Sequence, residues 1–328
     1  MVCNRICGPI CRSNICQKFL NNLLDSVNVI TRVIGIVFIF VVFILLSLVT
    51  TYFYYCFIPY QYEFKSIFSV LFHLFTGNWL LVNIIFHYYN ATKMNPGIVI
   101  NTPKVPAEEV EYMRQNYNYR ICKHCSQVKP PRTYHCSVCA SCILKMEHHC
   151  PWINNCVGMM NHKFYLLFCW FLWVGTFYVM TATLPLFKHC YRLGSRHAIE
   201  YNVDLQNWMM MHTNGEPAFF RTVTIFSWII CLSVFIALGI LTIWQSWLVS
   251  TGETSVERMK LSYDRQRAKK AGKEFHSPFN FGMKRNWQNT LGFSSNREFV
   301  LHVLLPSRKR GDECLENRKY TLKPTDLL

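Results

Sequence analysis

The sequence predicts an all-α membrane protein with four transmembrane helices and a cysteine-rich loop between the second and third helices. Apolar residues make up 51% of the 328 residues and only 16% are charged, whereas about 25% are charged in soluble globular proteins. The aromatic content of 16% excludes a disordered chain. Seven of the 16 cysteines lie between positions 122 and 156. This clustering, together with the length of the chain, excludes a small disulfide scaffold.

Four stretches contain no Asp, Glu, Lys or Arg, and they cover residues 33–58, 67–89, 164–187 and 222–249. Each has at least 23 residues, and about 20 apolar helical residues cross the hydrocarbon core of a bilayer. The second stretch is the most polar, and its His73, Asn78, Asn83 and His87 are interpreted as hydrogen-bonding groups between helices. No secretory signal peptide is visible before the first stretch, which is therefore expected to be a retained anchor.

The basic residues predict which side of the membrane each segment occupies. Segments 1–32, 90–163 and 250–328 hold 4, 9 and 16 Lys and Arg residues, and the two loops on the other side hold 1 and 4. The positive-inside rule therefore places both termini and the central loop in the cytosol. The predicted organisation is an N-terminal tail (1–32), two helices (33–89), a cytosolic cysteine-rich domain (90–163), two helices (164–249) and a cytosolic C-terminal domain (250–328).

The formal net charge of +16 indicates that the partners of this protein are negatively charged. One interpretation is attraction to the lipid bilayer, through anionic lipids of the cytosolic leaflet. A second is a docking surface for a polyanionic ligand that resembles a nucleotide. Nucleic acid is not an expected partner, because the basic residues are tethered to a membrane and no motif that reads nucleic acid accompanies them.

The cysteine-rich loop contains two C-x2-C pairs, at positions 122/125 and 136/139, with further Cys and His residues after them. Cytosolic thiols stay reduced, so this pattern indicates metal binding rather than disulfides. Each pair offers two thiolates to a tetrahedral Zn²⁺, and a later His and Cys complete the coordination. The loop holds seven Cys and four His residues, and two closed sites use eight of these eleven candidates.

The three candidates that remain include a candidate nucleophile. His124 lies inside a C-x2-C turn and is interpreted as a spectator. His148 and His149 are neighbours, so one zinc ion is not expected to take both. One His and one Cys then stay unliganded beside Glu147, which is the arrangement of a thiolate activated by an imidazole. A surplus structural cysteine is the alternative, and spacing alone leaves it open.

The run Cys142-Ile-Leu-Lys-Met-Glu-His-His-Cys-Pro-Trp-Ile-Asn-Asn-Cys-Val-Gly158 closely resembles the signature of the DHHC protein S-acyltransferases, the multi-span palmitoyltransferases. Other segments are similar to further motifs of that family, and they stand where the family has them. They are Lys129-Pro130, Arg132, Asn161, Phe164, Asn95-Pro96-Gly97, Thr254-Ser255-Val256-Glu257, Pro278-Phe-Asn-Phe-Gly282, Asn286-Trp287 and Leu291-Gly292.

This resemblance implies two zinc sites and a transfer reaction. The implied ligands are Cys122, Cys125, His135 and Cys142 for one zinc ion, and Cys136, Cys139, His149 and Cys156 for the other. Cys150 is implied as the nucleophile that takes a long-chain acyl group from acyl-CoA, and His148 as the base that takes its proton. The implied acceptors are juxtamembrane cysteines of membrane-associated proteins, and the implied compartment is the endoplasmic reticulum or Golgi.

One residue departs from the family pattern, because Glu147 stands where the family has Asp. The implied task of this acid is to hold the His148 imidazole in one tautomer and to stabilise the imidazolium. Glu is one methylene longer, and a misplacement of about 1 Å can cost about 10²-fold in rate. The expectation is a slow enzyme, a natural variant with a compensating backbone, or a deliberately weakened one.

Further residues are predicted to contact the donor. The third helix begins close to the candidate thiol, so its residues and a nearby tryptophan are candidates for the wall of an acyl slot, with ordinary helix packing as the alternative: Trp152, Tyr165, Phe168, Leu172 and Gly175. Basic residues near the loop are candidates for the CoA phosphates, although a solvated surface explains any single one of them: Lys129, Arg132, Lys145 and Lys163.

Two rival functions and one modification also follow from the sequence. A membrane-anchored zinc adapter without catalysis is the first rival. A RING-type ubiquitin ligase is the second, but such a domain needs a fourth C-x2-C-like pair, and this loop has none after Cys156.

The cysteines before the first helix recur every four or five residues. This pattern is typical of reversible acylation, although cysteines without a role explain it equally: Cys3, Cys7, Cys11 and Cys16.

Overall fold

The computed structural model describes residues 14–99, 120–192, 203–212, 217–273, 277 and 279–309. Within this part of the chain, four helices are long and apolar enough to cross a membrane: Asp25–Phe64, Ile67–Lys93, His162–Ala182 and Pro217–Thr251. Two Cys and His clusters lie between the second and the third of them. The predicted fold class is therefore confirmed. Cys3, Cys7 and Cys11 of the N-terminal tail lie outside the described residues.

The first span is longer than the uncharged stretch 33–58. Helix α1 (Asn14–Tyr52) continues through a π-helical turn (Phe53–Phe57) into α2 (Ile58–Phe64). The wider turn lies where Pro59 removes the backbone hydrogen bond to residue 55. The helix ends at Lys65, whose backbone is extended, and Ser66 caps α3 (Ile67–Lys93) by accepting from the Ser69 N–H.

The third span is shorter than predicted. The uncharged stretch runs to residue 187, but α4 (His162–Ala182) ends at Thr183 and a separate helix, α5 (Leu184–Arg192), follows. Pro185 explains this boundary, because its ring has no N–H to donate and clashes with the carbonyl four residues earlier. The prediction of one helix over 164–187 is therefore wrong at its end. Helix α6 (Val203–His212) precedes the fourth span, α7 (Pro217–Thr251).

Helix α4 is the centre of the bundle and packs against both α3 and α7. Its first two turns are almost entirely buried, from His162 to Cys169. Close approach to α7 depends on Gly239, where an added Cβ would lie 2.8 Å from Trp173 Nε1. In contrast, α1 exposes large apolar side chains along its length, such as Phe40 and Ile44, as expected of a helix that faces lipid.

The cysteine-rich loop folds into three two-stranded antiparallel hairpins. The first pairs β1 (Arg120–Ile121) with β2 (Val128–Lys129), the second pairs β3 (Tyr134–Cys136) with β4 (Ser141–Ile143), and the third pairs β5 (His148–Cys150) with β6 (Asn155–Val157). A 3₁₀ turn (Pro151–Ile153) joins β5 to β6. Strands this short bury little apolar surface, so they need another source of stability.

Two asparagines tie the third hairpin to the end of α3. The Asn155 amide donates to the carbonyls of Ala91, Thr92 and Met94 at 2.9–3.3 Å. The Asn161 amide, at the N-terminus of α4, donates to the carbonyls of Ala91 and Cys156 at 3.1 and 2.8 Å. The hairpin that carries residues 148–150 is thereby held between the second and third spans.

The C-terminal region forms short helices beneath the fourth span: α8 (Ser255–Lys260), α9 (Ser262–Lys270), α10 (Met283–Leu291) and α11 (Asn296–Phe299). A capping box starts α8, in which the Thr254 side chain accepts from the Glu257 N–H and the Glu257 carboxylate accepts from the Thr254 N–H. The Asn286 amide donates to the Ser250 carbonyl at 3.0 Å, which fastens α10 to the end of α7.

Candidate active site

Eight Cys and His side chains of the loop form two groups that could each hold a metal ion. One group is Cys122, Cys125, His135 and Cys142, and the other is Cys136, Cys139, His149 and Cys156. Within each group the candidate ligand atoms all lie within 4.8 Å of one another. These are the two sets that the family resemblance implies.

The distances in both groups fit a tetrahedral zinc ion. Bonds of about 2.0–2.3 Å to nitrogen and sulfur place tetrahedral ligand atoms about 3.3–3.8 Å apart. His149 Nδ1 lies 3.4 Å from Cys139 Sγ and 3.7 Å from Cys156 Sγ. His135 Nδ1 lies 3.3 Å from Cys125 Sγ. The cysteines are free thiols, so three sulfurs and one nitrogen are available to each ion.

The hairpins explain how the ligands meet. In each group, the C-x2-C pair comes from the turn region of one hairpin, and the other two ligands face each other across the next hairpin. His135 is paired with Cys142 in the second hairpin, and His149 with Cys156 in the third. Directly opposite residues of an antiparallel pair project from the same face of the sheet. Each metal ion would therefore join consecutive hairpins.

A repeat in the sequence, which the spacing argument missed, encodes this arrangement. Every ligand of the second group follows its counterpart in the first by 14 residues, so both groups read C-x2-C-x9-H-x6-C. A third copy of the C-x2-C pair would fall on Cys150 and residue 153. Residue 153 is Ile153, which is fully buried, so the third pair has lost its second thiol. The repeat therefore explains from the sequence why Cys150 belongs to neither metal group.

Cys150 ends strand β5 and begins the 3₁₀ turn, with 6% of its surface exposed. Burial raises the pKa of its thiol, and the backbone N–H groups of Trp152 and Ile153 lower it in part. The same type of contact is present in the second C-x2-C pair, where the Cys139 N–H lies 3.4 Å from Cys136 Sγ. These backbone N–H groups therefore offset part of the cost of forming a thiolate at this buried position.

His148 lies two residues before Cys150 on the same strand, so the two side chains share one face of the hairpin while His149 projects from the other. Burial, with a contribution from His149, lowers the pKa of His148 to about 4. Its ring packs edge-on against the ring of Tyr165 of α4, with centroids 5.3 Å apart. A neutral imidazole in this position can accept a proton.

The carboxylate of Glu147 makes its hydrogen bonds with Ser255, whereas the resemblance implies a hydrogen bond with His148. Its Oε2 accepts from the backbone N–H of Ser255 at 2.8 Å and from the Ser255 hydroxyl at 3.1 Å. Its Oε1 lies 3.9 Å from Nε2 of His162. Burial raises the pKa of Glu147 to about 7, and the Ser255 hydrogen bonds oppose that rise. The carboxylate therefore lies between the starts of α4 and α8 and does not orient the His148 imidazole directly.

An apolar cavity of about 500 Å³ lies within the helix bundle, and Cys150 is one of the residues that line it. All five predicted wall residues line it: Trp152, Tyr165, Phe168, Leu172 and Gly175. Its lining along α4 extends from Tyr165 to Val179, which is about 21 Å at 1.5 Å per residue. Residues of α1, α3 and α7, which the sequence did not single out as wall residues, also line the cavity, because the packing of the folded bundle decides which faces of separate helices meet.

Comparison with known proteins identifies the family. Residues 115–262 match the model of the DHHC palmitoyltransferases. Palmitoyltransferase ZDHHC16A of Danio rerio is 34% identical over 321 residues, which cover 89% of this chain and 80% of the relative. The chain belongs to the DHHC palmitoyltransferase family. Palmitoyltransferase ZDHHC16 of Homo sapiens is 35% identical over 298 residues, covering 87% of this chain and 74% of that protein.

A plant protein is similar to this chain over a shorter region. Probable protein S-acyltransferase 13 of Arabidopsis thaliana is 37% identical over 135 residues, which cover 37% of this chain and 44% of the relative. Three short segments of the sequence, 86–89, 252–255 and 304–306, resemble the human family member numbered sixteen. The animal relatives confirm that resemblance.

Four basic residues are predicted to contact the CoA phosphates. Two of them, Arg132 and Lys163, make hydrogen bonds to other parts of this DHHC protein. The Arg132 guanidinium donates to both Glu257 oxygens at 2.8 Å and to the Gly252 carbonyl at 3.0 Å. The Lys163 ammonium is buried and donates to the Lys309 carbonyl at 2.8 Å. Phosphate contacts by these two side chains stay predictions, and they would have to form beside these existing hydrogen bonds or replace them. Lys145 is also buried, and Lys129 is half-buried.

The Arg132–Glu257 ion pair links the cysteine-rich loop to α8. Breaking this ion pair tests how much it contributes to the stability of the protein. Both side chains are at least nine-tenths buried. Replacing Glu257 with Gln keeps the size and the capping contact but removes the carboxylate that faces the guanidinium. Loss of one partner of a buried pair costs about 3–5 kcal/mol. We expect Glu257→Gln to lower the thermal unfolding midpoint in detergent by several degrees.

The matched control for this experiment is Glu298→Gln at the Lys309 ion pair. That pair is about one-third exposed on both sides, and exposed pairs contribute little. Equal midpoint shifts for the two variants would show that the buried pair does not hold the loop against α8.

Proposed function

We propose that this protein moves a long-chain acyl group from acyl-CoA to cysteines of membrane-associated proteins, through an acyl-enzyme on Cys150. The observation that carries the proposal is the position of Cys150, which belongs to neither metal group and lines the apolar cavity beside His148 on the same strand. A thiol that is free of metal and adjoins an apolar slot suits a substrate with a reactive thioester head and a hydrocarbon tail.

The first step forms the acyl-enzyme. His148 takes the proton of the Cys150 thiol, and the thiolate attacks the thioester carbonyl carbon of acyl-CoA. The tetrahedral intermediate collapses as the bond from carbon to the CoA sulfur breaks. The CoA thiolate leaves with the proton that His148 returns. The products are CoA and a thioester between Cys150 and the acyl group.

The second step transfers the acyl group. The acceptor cysteine gives its proton to His148, and its thiolate attacks the carbonyl carbon of the acyl-enzyme. The bond to Cys150 Sγ breaks, and the Cys150 thiolate regains the proton from His148. Each step exchanges one thioester for another, so no external energy source is required.

The cavity is the proposed slot for the acyl tail. Each methylene group removed from water contributes about 0.8 kcal/mol, so a tail of 14–16 carbons supplies much of the binding energy of the donor. The CoA head then remains at the cysteine-rich loop, where Lys129 is a candidate phosphate contact. A palmitoyl group fits this division between an apolar slot and a polar surface.

Zn²⁺ is the proposed ion for both groups, with three thiolates and one imidazole around each. Such closed sites supply folding free energy rather than chemistry. Their role is to hold the third hairpin, and with it His148 and Cys150, against the helix bundle. The reaction itself is carried out by the side chains of the chain.

Membrane sidedness and compartment complete the proposal. The excess of Lys and Arg in segments 1–32, 90–163 and 250–328 supports a cytosolic location for both termini and the active site. Acceptors are then proteins that present a cysteine next to the cytosolic leaflet. The endoplasmic reticulum or Golgi is the proposed compartment, because it is the compartment that the family resemblance implies.

A direct assay tests this function. Purified full-length protein is incubated with palmitoyl-CoA that carries a labelled acyl group, and label on the protein and release of CoA are measured together. We expect hydroxylamine-sensitive label and an equal early yield of CoA, followed by label on an added membrane-anchored acceptor. Absence of label on the wild-type protein would favour the zinc adapter instead.

Substitution of Gly175 tests the acyl slot. An added Cβ at Gly175 would lie 3.3 Å from Ile84 Cδ1, and a larger side chain would project into the cavity that both residues line. We expect Gly175→Phe to reduce acylation from palmitoyl-CoA by at least about tenfold, because each displaced methylene loses about 0.8 kcal/mol. Acylation from a shorter acyl-CoA, such as the ten-carbon donor, should fall much less.

Val174→Phe is the matched control, because Val174 precedes Gly175 on the same helix but is 42% exposed and does not line the cavity. It adds a phenyl ring to the outer face of α4. An equal loss of activity in both variants, or an unchanged chain-length preference in Gly175→Phe, would contradict the assignment of the slot.

A further inference from the structure

Glu147 and His162 form a buried pair next to the active site. Glu147 is 1% exposed and His162 is 3% exposed. Glu147 Oε1 accepts no hydrogen bond, and neither ring nitrogen of His162 has a hydrogen-bond partner. The two unsatisfied atoms that face each other, Oε1 and Nε2, are 3.9 Å apart. Buried polar groups without partners are costly, so their mutual approach has a structural or functional reason.

The position of His162 connects this pair to the proposed base. His162 is the first residue of α4, and Tyr165 follows three residues later. Side chains three apart lie next to each other on one face of a helix. The Tyr165 ring is the surface on which the His148 ring packs edge-on. A line of neighbouring side chains therefore runs from Glu147 to His162, along the first turn of α4 to Tyr165, and on to His148.

Glu147 is also anchored on its other side. The Ser255 N–H and hydroxyl hold Oε2, and Ser255 begins α8, which follows the fourth span. The carboxylate thus joins α8 to the start of α4, with the third hairpin between them. The longer side chain of Glu, compared with the family Asp, extends the carboxylate by one methylene group toward the start of α4.

We propose that His162 is a positioning residue for the transfer reaction, and that its pairing with Glu147 sets the first turn of α4 so that Tyr165 holds the His148 ring for proton transfer from Cys150. This inference rests on the proposed acyltransferase function. It replaces the direct contact between acid and base with an indirect one through α4. It also explains how an enzyme with Glu at this position keeps its base in place.

The test uses two amide substitutions that differ in reach. In His162→Gln the amide nitrogen can take the place of Nε2, the atom that faces Glu147, whereas in His162→Asn it reaches only the place of Nδ1. The rate of acyl-enzyme formation is measured on full-length protein at saturating labelled palmitoyl-CoA. We expect His162→Asn to be about 10- to 100-fold slower than wild type, and His162→Gln to be about tenfold faster than His162→Asn. The donor concentration for half-saturation should change much less than the rate, because His162 does not line the slot and Tyr165 is one of many residues that do.

The same pair is then compared in a Glu147→Asp background. Aspartate withdraws the carboxylate from residue 162, so the two amides should differ by less than about twofold, as expected when a coupling has been removed. Glu147→Asp alone should be slower than wild type. A tenfold ratio that persists in this background would show that residue 162 acts independently of the acid and would overturn the proposal.

His87 supplies the matched control. It is fully buried in α3, and neither of its ring nitrogens has a hydrogen bond, so Gln and Asn there should behave alike. Two results would overturn the proposal and leave His162 a purely structural residue. One is equal rates for His162→Gln and His162→Asn. The other is a loss of bound zinc together with a lowered unfolding midpoint in both variants. Absence of label on the wild-type protein is a separate result, since it removes the acyltransferase function itself.

Discussion

Replacing Cys150 with alanine is expected to abolish hydroxylamine-sensitive acylation of the protein and all transfer to an acceptor. Cys150 lines the cavity and belongs to neither metal group, and it carries the acyl group between the two proposed steps. The loss should be complete within the sensitivity of the assay, which corresponds to at least about 10³-fold. Label retained on Cys150→Ala would contradict the proposed acyl-enzyme.

Two measurements show whether the activity is lost because the nucleophile is missing and not because the protein fails to fold. Cys150→Ala should keep two zinc ions per chain and the unfolding midpoint of the wild type within a few degrees, because Cys150 is not a metal ligand. Cys56→Ala is the matched control, since Cys56 is also a buried free thiol but lies outside both the metal groups and the cavity lining. It should acylate at the wild-type rate.

The second large effect is expected from His149, the neighbour of the proposed base. His149→Ala should lower the zinc content from two ions to one and reduce acylation by at least about 10²-fold. The physical reason is local folding: metal binding supplies folding free energy, and β5 and β6 are only three residues each. Without the second ion, the hairpin that carries His148 and Cys150 loses its main constraint.

His124→Ala separates loss of a ligand from loss of any histidine in the loop. The His124 ring stacks on the His135 ring, with centroids 4.7 Å apart, but His124 belongs to neither metal group. We expect it to keep two zinc ions and most of its activity. Two ions per chain in His149→Ala, measured by metal analysis, would contradict the assignment of the second group.

The metal groups were accessible to sequence reasoning because their chemistry is local. Two C-x2-C pairs on the expected cytosolic side predict zinc from spacing alone. The family resemblance implied which His and Cys complete each site, and the 14-residue repeat, recognised in the structure, agrees with it. The free state of Cys150 follows from the same repeat, since Ile153 replaces the second thiol. These inferences need only the short-range geometry of hairpin turns.

The role of Glu147 was not accessible in the same way. Its neighbours in sequence are His148 and His149, yet its oxygens face Ser255 and His162. Ser255 lies 108 residues away along the chain. A motif shows which residue types occur together, whereas the direction of a buried carboxylate is decided by the donors that the packed helices bring to it. The ion pair between Arg132 and Glu257 has the same cause, since these residues are 125 positions apart and meet only in the folded protein.

The amino-acid sequence by itself determined the membrane class, the number of spans and the presence of a metal-binding cysteine-rich loop, because hydrophobic length and cysteine spacing act within a few turns of chain. The two ligand sets and the candidate nucleophile were implied by the family resemblance. Only the tertiary structure decided where the third span ends, which helices enclose the cavity, and which histidine faces the acid. These features depend on contacts between segments far apart in sequence, and close packing of the whole bundle selects them.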